Sequence, residues 1–283
     1  MSRQMASSEA KAISSLRNPR VVRVRKLAQR KHRQRQGRFL VEDLQALHMA
    51  LDASIQPHEV FYCEALFEGI HAGRLLERFG STQAELIAVA PHVMEALSER
   101  PRAQGVMAVF AAFDQPLYSL QLQPHSLVII LDRIQKPANI GMLLRTADAV
   151  GAAAVILLES CADPFGPLSV RGSMGSLFNV PLVRSTRLSE LGKWLQERNV
   201  RLIGADPHCG QMWNPDVWQG RIGLVLGNER QGLSEQLRPW IDQWVQIPMV
   251  GKTESLNVAV AGSVLMYAWL QTWHFSAELT SEM

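Results

Sequence analysis

The run Leu127-Val128-Ile129-Ile130-Leu131 is followed, after five intervening residues, by Pro137-Ala138-Asn139-Ile140-Gly141-Met142-Leu143-Leu144-Arg145-Thr146-Ala147-Asp148-Ala149-Val150-Gly151. Then comes Ala154-Val155-Ile156-Leu157-Leu158. The first and last pieces are continuous apolar runs of strand length. Between them Ile140, Leu143, Leu144, Ala147 and Val150 fall on one arc of a helix, with Arg145 pointing away. Asn139 is a good N-cap and Gly151 a natural stop. Apolar strands separated by amphipathic helices indicate a parallel sheet covered on both faces.

The pattern continues downstream. Further strands are expected at 180–183, 201–203, 223–226 and 245–247, and helices at Leu188–Arg198, 235–240 and 256–270. Upstream, residues 37–111 read as a small α/β domain, with strands at Arg38–Val41, 60–62, 86–89 and 105–110. Helices at 43–51, 72–79 and 91–98 lie between them. Residues 112–125, rich in Pro, Gln and Ser, resemble a linker, and residues 126–283 form the larger domain. Residues 1–36 are a basic arm, helical in part from Ala10 and interrupted at Asn18-Pro19.

Charge divides along the same lines. Residues 1–41 carry twelve Lys/Arg and one acid, a net +11, whereas the remaining 242 residues hold 17 basic and 25 acidic residues, a net −8. A cationic arm on an acidic body points to a polyanionic partner. The arm lacks the bulky apolar face of a membrane-surface helix. Between Arg17 and Arg38 it also lacks aromatic residues, so it would grip phosphate and not stack on bases. Arg23, Arg25, Lys26, Arg30, Lys31 and Arg33 are its candidate contacts to such a phosphate-bearing partner. The alternative is a disordered solubility tail. Apolar Val21, Val22, Val24 and Leu27 punctuate the run, as expected of a segment that docks.

A composition of 47% apolar and 19% charged residues excludes a disordered or membrane-embedded body. The apolar run 258–270 is shorter than the about 20 residues a bilayer needs and reads as a buried helix. The first residues lack a secretory apolar stretch, and Cys63, Cys161 and Cys209 have no metal-ligand spacing. A cytoplasmic protein without a structural metal or disulfide is expected.

Ligands bind such sheets beyond the carboxyl ends of the strands, which directs attention to the loops after Leu131, Leu226 and Ile247. In the first, Arg145 is either a solvated surface residue or a guanidinium placed to grip a phosphate or developing oxyanion, with Gly141 and Ala149 leaving space around it. The second, Leu226-Gly227-Asn228-Glu229-Arg230-Gln231-Gly232-Leu233, has neither dinucleotide-fingerprint spacing nor the Gly-Lys-Ser/Thr of a phosphate loop. Glu229 is a ligand contact or an ordinary helix-entry acid. The third runs Ile247-Pro248-Met249-Val250-Gly251-Lys252-Thr253-Glu254-Ser255-Leu256-Asn257-Val258. There Asn257, opening an apolar helix, is expected to be buried and partnered.

In this order and spacing, Pro-x-Asn-x-Gly…Arg-Thr-Ala…Gly, Leu-Gly-x-Glu-x-x-Gly-Leu and Ile-Pro-Met…Ser-Leu-Asn-Val resemble the three motifs of the SpoU-type (TrmH-like) RNA 2′-O-ribose methyltransferases of the SPOUT class. The N-terminal part, through Arg38-Phe39-Leu40-Val41-Glu42 behind Arg30-Lys31-His32-Arg33, is similar to that family's smaller substrate-binding domain. The resemblance implies a C-terminal trefoil knot and a homodimer in which the partner completes the site. It further implies an S-adenosylmethionine site at Leu226, Gly227, Ile247, Met249 and Leu256, and polar active-site positions at Asn139, Arg145, Glu229, Ser255 and Asn257. Ribosomal RNA is the implied substrate, with transfer RNA as the alternative. A non-catalytic RNA-binding assembly factor on the same fold and a base methyltransferase of the same class are rivals. A guanidinium with a pKa above ~12 is a poor proton acceptor, so Arg145 would grip phosphate and stabilise the forming alkoxide, the proton leaving through phosphate or water. The chain departs from the family at Val170-Arg171-Gly172-Ser173, where Arg171 could guide RNA in place of the usual lysine. It departs again at Asn228 and Arg230, where relatives often have small residues, and at Glu42-Asp43.

Overall fold

The computed structural model describes residues 12–158, 160–212 and 215–281. The chain divides into two compact units, residues 1–112 with 165–167, and residues 113–164 with 168–283.

The first unit is α1 (Pro19–Arg25), α2 (Arg30–Gln36), β1 (Arg38–Val41), α3 (Leu44–Asp52), β2 (Glu59–Tyr62), α4 (His71–Gly80), β3 (Glu85–Ala88), α5 (Pro91–Leu97) and β4 (Val106–Ala111). Its four strands lie in the order β1-β4-β2-β3, with only β2 and β3 parallel. Asn18-Pro19 opens a helix where a break was expected. The Asn18 side chain accepts the Arg20 amide, and Pro19, with no N–H to lose, suits the first turn. Before it Ile13 is extended, bridging Val89. The expected start of a helix at Ala10 lies outside the described residues.

From Pro19 onward the basic segment is part of this unit and not a separate arm. Val21, Val24 and Leu27 are buried in one cluster with Phe61, Val93, Met94 and Met107. The hydrophobic effect fixes this segment; its charges ride on the outside.

The second unit comprises β5 (Leu127–Leu131), α6 (Pro137–Ala149), β6 (Ala154–Leu158), α7 (Pro167–Ser173), β7 (Leu182–Thr186), α8 (Leu188–Arg198), β8 (Val200–Ala205), β9 (Gln211–Met212), β10 (Arg221–Leu226), β11 (Gln243–Gln246) and α9 (Val258–Ser281). All seven strands are parallel, ordered β7-β6-β5-β10-β8-β11-β9. The α/β fold with a parallel sheet and a small N-terminal α/β unit is thus present. Every residue of β5 and β6 is buried, as strands covered on both faces require. On one face Val128, Ile130, Ile156 and Val225 pack with Leu191 and Trp194 of α8. Leu117 and Leu120, in the stretch read as a linker, join that cluster. Elsewhere α6 lies along α9, the Thr146 and Ser263 hydroxyls meeting at 2.7 Å.

Three local expectations are corrected. The helix expected at 235–240 is a single 3-10 turn at Arg238–Trp240, because Pro239 supplies no backbone donor. The helix expected to be buried, α9, buries Ala259, Leu265, Met266 and Trp269 but exposes Val260 (47%), Val264 (37%) and Tyr267 (46%). Gly141 does not open space around Arg145. A Cβ there would stand 2.4 Å from the Ser169 carbonyl oxygen and 2.8 Å from the Gly172 Cα, so this glycine lets α7 cross close against α6. Among the described residues no helix is long and apolar enough to cross a membrane.

Candidate active site

A cleft of about 580 Å³ opens beyond the carboxyl ends of β8, β10 and β11. Leu226, Gly227 and Glu229 line it from the loop after β10. Ile247, Met249, Ser255, Leu256 and Asn257 line it from the segment between β11 and α9. Eight of the ten predicted catalytic and cofactor residues therefore share one cavity.

Gly227 has a steric reason to be glycine. Its missing Cβ would sit 2.4 Å from the Gly232 carbonyl carbon and 2.5 Å from the Leu233 nitrogen, so the loop folds back tightly on itself. Asn228 closes the same loop. Its backbone exchanges hydrogen bonds with Gly232, and its Oδ1 accepts the amides of Arg230 and Gln231. Its Nδ2 donates to the Arg133 carbonyl at 2.9 Å.

Asn139 is not the N-cap of α6, a position held by Lys136 ahead of Pro137. It is buried, 3% exposed, and its amide is used in tertiary contacts. Nδ2 donates to Glu229 Oε1 at 2.8 Å, and Oδ1 accepts from Asn257 Nδ2 at 3.1 Å. The Glu229 carboxylate also accepts the amides of Lys136 at 3.2 Å and Gln135 at 3.3 Å. Burial raises the Glu229 pKa, but the surrounding hydrogen bonds, including those from Asn139, Gln135 and Lys136, outweigh it and hold the group below its ordinary 4.5. Asn257 is exposed, contrary to expectation. It caps α9, its Oδ1 accepting the Ala259 amide at 2.9 Å, which leaves its Nδ2 for Asn139. One chain of hydrogen bonds thus joins all three loops.

Arg145 stands apart. It is exposed on α6, does not line the cleft, and its side chain makes no hydrogen bond or ion pair with another described residue. Of the predicted RNA contacts, Arg25, Lys26, Arg30 and Lys31 are exposed, and Arg23 is paired with Glu59 at 2.5 Å. Arg33 is a correction. It is 6% exposed, and its Nη1 donates to the Leu27 and Ala28 carbonyls at 2.7 and 2.8 Å, ending the turn between α1 and α2. A guanidinium so engaged is unavailable to phosphate. Arg171 is half-buried on α7.

Sequence reading missed Lys136, Asp206 and His208 on the cleft wall, and also Arg133, which holds the loop after β10 from outside. Arg133 takes a left-handed conformation (φ 56°) and donates to the Gln231 side chain at 3.1 Å and the Gly232 carbonyl at 3.3 Å. Asp206 and His208 were hidden because the strand was expected to end at Ile203, whereas β8 runs to Ala205 and its loop opens onto the cleft. Among the described residues no group of three or more His, Cys, Asp or Glu could hold a metal.

Residues 126–267 match the SpoU rRNA Methylase family model, and residues 18–108 match the MRM3-like substrate binding domain. The chain belongs to the SpoU rRNA methylase family. It is 33% identical over 249 residues to a 23S rRNA (uridine(2479)-2′-O)-methyltransferase of Streptomyces viridochromogenes, covering 85% of each chain. It superposes on an AdoMet-bound rRNA methyltransferase from Sinorhizobium meliloti with a TM-score of 0.82, at 27% identity over 92% of this chain and 97% of that one. The SpoU methyltransferase AviRb from S. viridochromogenes, in complex with AdoMet, gives 0.81 at 32% identity, over 90% and 98%.

Proposed function

We infer that this protein transfers a methyl group from S-adenosylmethionine to a ribose 2′-hydroxyl of ribosomal RNA. The observation that carries this reading is the hydrogen-bond chain Asn257–Asn139–Glu229, which draws three family motifs around one cleft, in a chain whose structural relatives bind AdoMet. The residues present suit that cofactor. Leu226, Ile247, Leu256, Ala261 and Leu265 offer apolar walls to a flat purine, and the carboxylates of Glu229 and Asp206 line the same cleft, favouring a cation. When bound, the cofactor supplies an electrophilic methyl group on a positively charged sulfur. The protein's own task is to align a ribose oxygen with it, and alignment alone lowers such barriers by several kcal/mol, up to ~7–11 in the best cases.

The site is completed in a homodimer. Val260, Val264 and Tyr267 recur at one-turn spacing on the exposed face of α9. Exposed Met142 of α6 lies one turn from Thr146, which meets Ser263 of α9. A second copy seated on this strip would cover the apolar side chains. It would also bring Arg145, three residues from Met142, to the partner's cleft, where its fork grips the phosphate beside the target ribose and stabilises the forming alkoxide. Asn257, bonded to Asn139 and capping α9, ties the end of the third loop to the first, and Ser255 lines the cleft beside it. The strand order, with β10 between β5 and β8 and α9 returning onto α6, supports a C-terminal trefoil knot formed by the segment after β11. Residues 19–111 present basic α1 and α2 to RNA, and Arg171 guides the strand toward the cleft. The free thiols Cys63, Cys161 and Cys209 fit a reducing cytoplasm.

The test compares ribose methylation in ribosomal RNA from cells with and without the gene, position by position, together with calorimetry of S-adenosylmethionine on the purified protein. One 2′-O-methyl position lost with the gene, and micromolar cofactor binding, are expected. An unchanged map with no cofactor heat would leave an RNA-binding assembly factor.

A further inference from the structure

β5 ends on Leu131, and the next two residues hold the loop after β10 from behind. Asp132 is 3% exposed, and its Oδ2 accepts the Ser234 amide at 2.7 Å. Its own amide donates to the Leu226 carbonyl at 2.9 Å. Arg133 adds three contacts. Its Nη1 donates to Gln231 Oε1 at 3.1 Å, its Nη2 donates to the Gly232 carbonyl at 3.3 Å, and its carbonyl accepts Asn228 Nδ2 at 2.9 Å. The Arg133 Nε lies 3.4 Å from Asp132 Oδ1, which orients the guanidinium. Residues 226–234 are thus tied at start, tip and end to two consecutive residues that do not line the cleft.

The Arg133 backbone marks this tie as a built feature. Its φ of 56° is left-handed, a conformation that side chains other than Asn, Asp and His seldom take. Such an outlier persists where its surroundings over-determine it. Here the carbonyl and the guanidinium of one residue both bond to the same loop. The footing is braced as well. The Ala162 amide donates to the Ile134 carbonyl at 2.8 Å, and Cys161 Sγ donates to the Leu131 carbonyl at 3.2 Å. The loop so held carries Gly227 and Glu229 into the cleft. Bonds of Asn228 to Gly232, Arg230 and Gln231 give it a shape, and those from Asp132 and Arg133 fix that shape over the end of β5.

We propose that Arg133 is a positioning residue for S-adenosylmethionine, resting on the reading of this cleft as the cofactor site. From outside the cleft its guanidinium, oriented by Asp132, keeps the loop after β10 in the conformation that receives the cofactor. A site that is formed in only a fraction of the molecules binds more weakly by that fraction. Arg133 keeps the fraction high, so its loss is felt in cofactor affinity and not in the RNA grip of α1 and α2.

Glycine adopts a φ of 56° freely, so Arg133→Gly removes the guanidinium and relieves the backbone in one change. Calorimetry on the full-length variant should show S-adenosylmethionine bound about tenfold more weakly, with RNA affinity within about twofold and melting temperature within a few degrees of wild type. In methyl transfer the cofactor KM should rise about tenfold, while turnover at saturating cofactor changes less than about threefold. Arg133→Asn, which also tolerates left-handed backbone, gives the same readings should the glycine variant not fold. Asp132→Asn keeps an oxygen for the Ser234 amide but loses the charge behind the guanidinium. It should weaken cofactor binding about threefold in wild type and leave it unchanged in the Arg133→Gly background, as coupled residues do. A cofactor affinity within twofold of wild type for Arg133→Gly would overturn the proposal. So would an equal loss of RNA binding, or an Asp132→Asn effect of the same size in both backgrounds. A wild-type protein that takes up no S-adenosylmethionine would instead overturn the cofactor reading, and this inference with it.

Discussion

Asn257 and Asn139, 118 positions apart in sequence, share a hydrogen bond whose direction is set by a third residue. Ionised Glu229 can only accept, so Asn139 must turn its Nδ2 toward it, at 2.8 Å. That leaves Asn139 Oδ1 to receive Asn257 Nδ2, and Asn257 Oδ1 to cap α9. Asn139→Asp reverses this polarity by placing a second carboxylate against Glu229. It should therefore be worse than Asn139→Ala, which costs about 1–3 kcal/mol by stranding its neighbours. Thermal unfolding and cofactor titration of the two variants check the order, and adding Glu229→Gln to Asn139→Asp should restore part of the loss. An Asn139→Asp protein as stable as Asn139→Ala would contradict it.

The same carboxylate makes stability depend on acid. Glu229 has a folded pKa below its ordinary 4.5, so its contribution is fully present above that value and disappears as pH falls through the folded value. Denaturant unfolding of wild type and Glu229→Gln between pH 3 and 7 should show wild type more stable at neutral pH and the gap shrinking below about pH 4.5. A gap that stays constant over the range would remove Glu229 as the anionic end of the chain.

Much of this arrangement is legible in the sequence, for identifiable reasons. β5, α6 and β6 appear where period and apolarity place them, because each must bury a continuous surface and few alternatives do so. Short-range chemistry was more deceptive. Asn139 looks like a cap because caps and buried amides use the same residue type, and only the fold brings Glu229 within reach. Gly141 and Arg33 mislead similarly. A glycine that permits a helix crossing and an arginine that ends a turn cannot be distinguished by neighbours in sequence from one that leaves space and one that binds phosphate. The His208 loop was lost to a two-residue error in a strand end, the commonest kind of error at element boundaries.

Arg145 separates catalysis within one subunit from catalysis shared between two. Its exposure on α6, outside the cleft, leads us to expect that Arg145→Lys lowers turnover 100-fold or more, about 2.7 kcal/mol of barrier, with cofactor affinity unchanged. Val264→Asp, which charges the apolar strip of α9, should give a monomer by sedimentation with a comparable loss of turnover and cofactor binding retained. A monomeric Val264→Asp protein with wild-type turnover would show that Arg145 serves its own subunit or none.

The basic helices provide the last test, and the fold dictates its form. Removing residues 1–36 would strip Val21, Val24 and Leu27 from a core cluster, so a deletion would report unfolding and not charge. Substitutions avoid this. Arg25, Lys26, Arg30 and Lys31 are exposed, whereas Arg33 is spent on two carbonyls. Each exposed cation that neutralises a phosphate adds about 0.7–0.9 to the slope of log affinity against log salt. Changing all four to Gln should flatten that slope by up to about 3.6, with little change in melting temperature. Arg33→Gln should instead lower the melting temperature by several degrees and, where folded, leave the slope as it was. The opposite assignment, a slope that follows Arg33 and ignores the other four, would place the RNA grip inside the turn and not on the helix faces.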